Sequence, residues 1–135
     1  MNVDFETFSE IDIKVGSFRY AMDKSTEVIW IAYGTDIDNV KLWYPGLKSP
    51  KELIDHINKG GFVKGWNATF EYAIFNYCCH RLYDWPKLKV NQVRCTQADA
   101  LALSLPASLD MAAIALGTTQ QKDKRGKQLI TKLCK

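Results

Sequence analysis

No stretch of this 135-residue chain approaches the roughly 18 consecutive apolar residues of a membrane-spanning helix, so no membrane partner is expected. Histidine is scarce, with two residues, and cysteine is limited to Cys78, Cys79, Cys95 and Cys134. Adjacent Cys78 and Cys79 make a poor pair for one another, and nothing points to an exported fold held by disulfides. The run "CCHR" is a poor zinc site as well. Neighbouring residues on a helix point about 100° apart and cannot all chelate one ion. Buried, reduced thiols are the expectation. The opening "VDFETF" has neither the charged nor the apolar region of a signal peptide, which predicts a cytoplasmic protein. Internal repeats and low-complexity tracts are also lacking.

What remains is the make-up of an ordinary globular chain, with 47% hydrophobic and 24% charged residues, long enough to bury a real core as one domain over residues 1–135. The net charge of +3 is unevenly spread. The tail "KDKRGKQLITKLCK" (residues 122–135) holds six Lys/Arg and one Asp, for +5, against 12 positive and 14 negative residues elsewhere. A basic tail on a near-neutral body fits a phosphate-facing patch. It fits better a solvated amphipathic helix, since Leu129, Ile130 and Leu133 stand at helical spacing.

Along the chain, "EVIWIAYGT" (27–35) is rich in β-branched and aromatic residues and reads as a buried strand. "DNVKLWYPG" (38–46) alternates, with Val40, Leu42 and Tyr44 on one face. With a first strand at the N-terminus these predict an antiparallel meander. Residues 11–23 read either as a short helix or as a connecting loop. Ser49-Pro50-Lys51-Glu52 has the form of a helix start, with Ser49 as cap, Pro50 in the first turn and Glu52 closing a capping box. A short strand is expected at 62–66, an amphipathic helix at 67–83 and a further short strand around 91–96. Two helices follow, the second capped by Ser108 and stopped by Gly117. The order predicts an α/β fold: three antiparallel strands, then alternating helices and short strands.

One short motif carries the chemistry. In "DFET", Asp4 and Glu6 lie two residues apart on the first strand, so they share one face while Phe5 takes the other. Two like charges side by side repel unless something positive stands between them. Farther on, "GWNATFEYAIF" (65–75) puts Asn67 at a helix N-terminus and Glu71 just over a turn inside it. If that helix packs beside the first strand, Asp4, Glu6 and Glu71 converge on one point, an arrangement suited to Mg²⁺ or Mn²⁺, which prefer hard oxygen ligands. Taken singly, the same residues also read as an N-cap, a lone helix acid and an edge-strand solubility device.

"DFET" followed by "WNATFEYAIF" resembles the first two motifs of the DEDD 3′–5′ exonuclease superfamily, whose fold is ribonuclease-H-like. "VGSFRYAMDKSTEVIWIAYG", "RCTQADALALSLPASLDMAAIALG" and "KDKRGKQLITKLCK" resemble the proofreading exonuclease region of phage-type family-A DNA polymerases. The resemblance covers nearly the whole chain. It implies that Asp4, Glu6 and Glu71 are catalytic metal ligands for Mg²⁺ or Mn²⁺, usually two ions. Thr7, Phe8, Trp66, Asn67 and Phe70 would contact the terminal nucleotides. The implied reaction is hydrolysis at the 3′ end of single-stranded DNA, in the cytoplasm of a bacterial host carrying a phage or prophage.

The family pattern also needs a fourth acid, in a Tyr-x-x-x-Asp or His-x-x-x-Asp motif on a late helix. No Tyr or His follows Tyr83, so neither form occurs here, and the exonuclease-like domain is expected to be incomplete at its C-terminus. Asp99 and Asp110 are the late acids on predicted helices; Asp110 suits the first turn after Ser108, and Asp99 suits solvent. A polymerase module or a second chain supplying the missing motif is one expected partner. The alternative is a catalytically impaired remnant that binds nucleic acid or a replication partner.

Overall fold

The computed structural model describes residues 1–119 and 126, so the expected basic final helix lies outside the described residues. Strand β1 (Asn2–Phe8) is followed by helix α1 (Ser17–Met22), then by β2 (Glu27–Gly34) and β3 (Lys41–Trp43). Helix α2 (Lys51–Asn58) leads to β4 (Val63–Gly65). Helix α3 (Ala68–Ala73) runs through a π-helical stretch, Ile74–Cys79, into α4 (His80–Tyr83). Strand β5 (Val93–Cys95), α5 (Thr96–Ala102) and α6 (Leu109–Ala115) complete the described fold. No described helix is long and apolar enough to cross a membrane.

The architecture is α/β, with one mixed five-stranded sheet in the order β3-β2-β1-β4-β5, compatible with a ribonuclease-H-like fold. The expected opening of three strands before any helix does not form. Helix α1 stands between β1 and β2, because Tyr20 and Ala21 supply it with a buried side. β1 is the central strand, antiparallel to β2 and parallel to β4, a position that a reading of consecutive strands cannot locate. Strand β3 is antiparallel to β2, and β5 parallel to β4.

Alternation fixes the two faces of the sheet. Val3 and Phe5 of β1, Ile31 and Tyr33 of β2, and Trp43 of β3 are buried with Leu53 and Ile57 of α2 and with Ile74, Phe75, Cys78 and Cys79 of the long helix. Phe75 meets Phe5 edge-on at 6.4 Å between ring centroids, and Trp85 lies 4.7 Å from Trp43. Asn76, buried in this layer, pins the chain beyond α4: its amide donates to the Leu88 carbonyl at 2.9 Å and its carbonyl oxygen accepts from the Leu88 N–H at 2.6 Å. The thiols of Cys78 and Cys79 are free and fully buried, and burial pushes both up in pKa. His80 turns its Nδ1 to the Trp85 carbonyl at 2.7 Å.

Val40, Leu42 and Tyr44 share a side as expected; that side is exposed, and β3 buries Trp43, whose indole N–H donates to the Lys48 carbonyl at 3.0 Å. One local expectation changes. Ser49 does not cap α2. Pro50 holds the cap position, and the Ser49 hydroxyl accepts from the Trp85 indole at 3.3 Å. Ser108 occupies the cap position of α6 without a side-chain capping bond, and Gly117 takes the left-handed φ of +65° just after that helix, as its stop requires.

Candidate metal and nucleic-acid site

The second face of the sheet carries the acids. Cross-strand pairing aligns Leu42, Ala32 and Asp4 in one row and Trp30 and Glu6 in the next. This face stays open: Asp4 is exposed, Leu42 is 63% exposed, and Glu6, Trp30 and Ala32 are half-buried. A cavity of about 260 Å³ beside Asp4 is lined also by Asn2, Ala32, Gly34, Ile37 and Val40. Just past Glu6 the register shifts, so that Thr7 faces Val28 and Ile29 becomes the extra residue of a bulge. The two-residue period of β1 keeps Asp4 and Glu6 together on the open face, and Thr7, on the other side, has its hydroxyl 3.0 Å from that of Tyr20. Phe8, at the end of β1, is half-buried.

Glu71 enters from the other direction. It lies in the first turn of α3 and is only 5% exposed, against the last residue of β4: a Cβ added to Gly65 would stand 3.0 Å from its Cγ, Cδ and Oε2. Its Oε2 is buried without a hydrogen-bond partner. Burial raises the Glu71 carboxyl from its ordinary 4.5 to about 7; its own backbone N–H partly offsets this, and the negative charge of Asp4 raises it further. Asp4 and Glu71 are thus brought within electrostatic reach of one another. Glu6 shares the face of Asp4. Among the described residues, however, no three His, Cys, Asp or Glu side chains gather closely enough to hold a metal ion. Asp4 lies within electrostatic reach of Glu71 and shares its face with Glu6, but the described acids do not form a closed centre.

The expected nucleotide-contacting residues divide. Asn67 is exposed and left-handed, with φ 62° and ψ 51°, and it makes no side-chain capping bond, so the plain N-cap role is not the one it plays. Asparagine tolerates this backbone region better than most residues. Phe70 is half-buried, its ring 6.0 Å from Tyr20. Trp66 is half-buried and donates its indole N–H to the Ala107 carbonyl at 3.2 Å, an oxygen that also accepts from Gln97 at 2.8 Å. Trp66 therefore anchors the link between α5 and α6. Asp99 is exposed on α5, and Asp110 is half-buried in the first turn of α6.

Two residues central to this arrangement escaped the sequence reading. Tyr20 joins the end of β1 to the start of α3, touching Thr7 by hydroxyl and Phe70 by ring. Gly65 gives Glu71 its seat. The only sequence signal for either was position: an aromatic in an ambiguous segment, and a glycine just before the second motif.

The fold and site together are those of an α/β domain with acids on the open face of its central strand and one more at the start of the following helix. The chain is 35% identical over 134 residues, 96% of its length, to a DNA polymerase of Bacillus phage SP02. The matched part amounts to 20% of that polymerase, so the chain spans about a fifth of the relative's length. No family model matches it. The similarity is that of a segment of a phage DNA polymerase, of a size that suits one domain.

Proposed function

We propose that this chain is a metal-dependent 3′–5′ exonuclease domain, related to the proofreading part of phage DNA polymerases and acting on the 3′ end of single-stranded DNA. The observation that carries this reading is the Glu71 carboxyl, buried, with one oxygen unpartnered and facing the charge of Asp4. Two carboxyls so placed are unfavourable as a pair of anions and comfortable around a hard divalent cation. Asp4, Glu6 and Glu71 are the residues that would hold Mg²⁺ or Mn²⁺. Bound there, such an ion supplies an acidified water and charge for the departing 3′ oxygen.

The chain's own residues do the remaining work in this reading. Glu71 is partly protonated near neutral pH, and an incoming cation would displace that proton. Exposed Asn67 presents its amide at the mouth of α3. Phe8 ends the central strand, Thr7 turns inward to Tyr20, which meets the Phe70 ring, and the face with Asp4 and Glu6 is left open for an unpaired strand. Trp66 contributes by fixing the α5–α6 link next to β4. A fourth acid would come from a polymerase module or a second chain.

A second reading has an observation of its own. Because the described acids do not close into a three-ligand centre, the domain also fits an impaired remnant that binds nucleic acid or a replication partner. The deciding experiment is a nuclease assay on 5′-labelled single-stranded DNA with Mg²⁺ or Mn²⁺, beside an Asp4→Ala/Glu6→Ala control. The exonuclease reading expects a ladder shortening from the 3′ end that vanishes in the control. A folded protein that gives no ladder with either ion overturns it in favour of the remnant.

A further inference from the structure

The open face of the sheet carries a second group of charges, of the opposite sign. Parallel pairing sets Asn2 of β1, Lys64 of β4 and Arg94 of β5 in one row, and the two-residue period puts that row on the side of Asp4 and Glu6. Burial agrees: Val63 and Gly65 are buried, whereas Lys64 and Arg94 are exposed. Strand spacing and rise place the Cα atoms of Lys64 and Arg94 about 4.8 Å apart, and that of Asp4 about 8 Å from Lys64. In the rows of the acids, β2 and β3 contribute Trp30, Ala32 and Leu42, none of them charged.

Arg94 is held in place. Its guanidinium lies over the Phe62 ring, 4.0 Å from the centroid, and its Nη1 donates to the carbonyls of Asn91 at 3.1 Å and Val93 at 2.9 Å. Its Nε and Nη2 make no hydrogen bond among the described residues, where no carboxylate pairs with Arg94 or Lys64 either. A fixed guanidinium with donors to spare, beside an ammonium, suits phosphate: one group offers a planar fork and the other a point charge.

We propose that Lys64 and Arg94 bind backbone phosphates of a single-stranded DNA that lies across the open face with its 3′ end at the acids. Charge selects this occupant. Asp4 and Glu6 repel a polyanion from the middle of the face, and the cations one row back offset that repulsion. That the strand ends at the acids rests on the exonuclease reading; the cation row does not.

The test is binding of a fluorescein-labelled single-stranded oligonucleotide, followed by anisotropy without divalent ions so that no strand is cut. Wild type is compared with Lys64→Gln, Arg94→Gln, the double variant and a Lys24→Gln control, whose site lies on the helix side, where Arg81 donates to the Lys24 carbonyl. Each single variant should bind about 5-fold more weakly at about 0.1 M salt, with a logarithmic salt slope shallower by about 0.7. The double variant should lose about 25-fold and about 1.4 in slope, while the control stays near wild type. A methylphosphonate strand, which lacks backbone charge, should not tell the double variant from wild type. A double variant that matches the control overturns the proposal, as does a wild type that binds no strand. Displacement of the strand by poly-glutamate as readily as by unlabelled DNA overturns it too. Should Arg94→Gln fail to fold, Lys64→Gln decides alone. The nuclease assay keeps the two readings apart: binding that depends on Lys64 and Arg94, with no ladder from wild type, upholds the phosphate site and sinks the exonuclease reading. A ladder with binding indifferent to both residues does the reverse.

Discussion

Replacing Glu71 by Gln should remove a pH dependence of stability that the wild type carries. The folded carboxyl titrates at about 7, against an ordinary 4.5. Between these two values the folded state keeps the proton and the unfolded chain has lost it. The unfolded state then binds fewer protons, so stability falls as pH rises. Each unit of difference is worth about 1.4 kcal/mol, which makes the loss across the window roughly 3 kcal/mol. The contribution is intact below about 4.5 and gone above about 7. Glutamine keeps the shape of the neutral acid and cannot ionise, so titrations of groups remote from Glu71 cancel when the two proteins are compared; Asp4, whose charge Glu71 feels, is the one neighbour that does not. Urea unfolding of both, from pH 4 to pH 8, gives the difference curve directly. It should fall by roughly 3 kcal/mol and level off near neutrality. A flat difference curve would falsify the claim that Glu71 is buried near Asp4 with one carboxyl oxygen unpartnered.

Two further substitutions check the frame around the site. Asn76→Ala should cost roughly 3 kcal/mol, because it orphans both the N–H and the carbonyl of Leu88 inside the core; equilibrium unfolding at neutral pH measures it, and a loss below 1 kcal/mol counts against the pinning role. Trp66→Phe keeps the ring and loses the indole donor, while Gln97 continues to serve the Ala107 carbonyl. The expected loss is about 1 kcal/mol, with faster amide exchange confined to residues 103–109; unchanged exchange there would return Trp66 to a role in binding alone.

Much of the site's direction was legible from the chain. The two-residue period of a strand is enough to place Asp4 and Glu6 on one face and Phe5 on the other, and the structure keeps that division. The β-branched run of β2 and the apolar spacing of the long helix were equally plain, because burial on one side leaves a periodic mark. Other features leave none. Ser49 has the right type for a cap but is drawn to Trp85, a partner 36 residues away. Trp43 and its neighbours alternate either way, and only packing against Tyr83 and Trp85 decides which side is core. That β1 is central depends on β4 returning beside it, a pairing carried by a single register position, Asn2 with Lys64.

The contact between Gly65 and Glu71 is the clearest case of what sequence alone conceals, and it also explains the state of the acid. A carboxyl pressed against bare backbone loses more from lost water than its own backbone N–H returns, so it holds a proton more tightly. The neighbouring charge of Asp4 acts in the same direction. Yet Asp4 itself stands on the exposed face, so whatever relieves the pair can arrive from solvent. Near neutral pH Glu71 is partly protonated, and on the proposed exonuclease reading an incoming cation would have to displace that proton. A domain that only bound nucleic acid through its basic and aromatic groups would have no use for that exchange. One that must take up a divalent ion would, because a partly protonated ligand site exchanges its proton for the ion at modest cost.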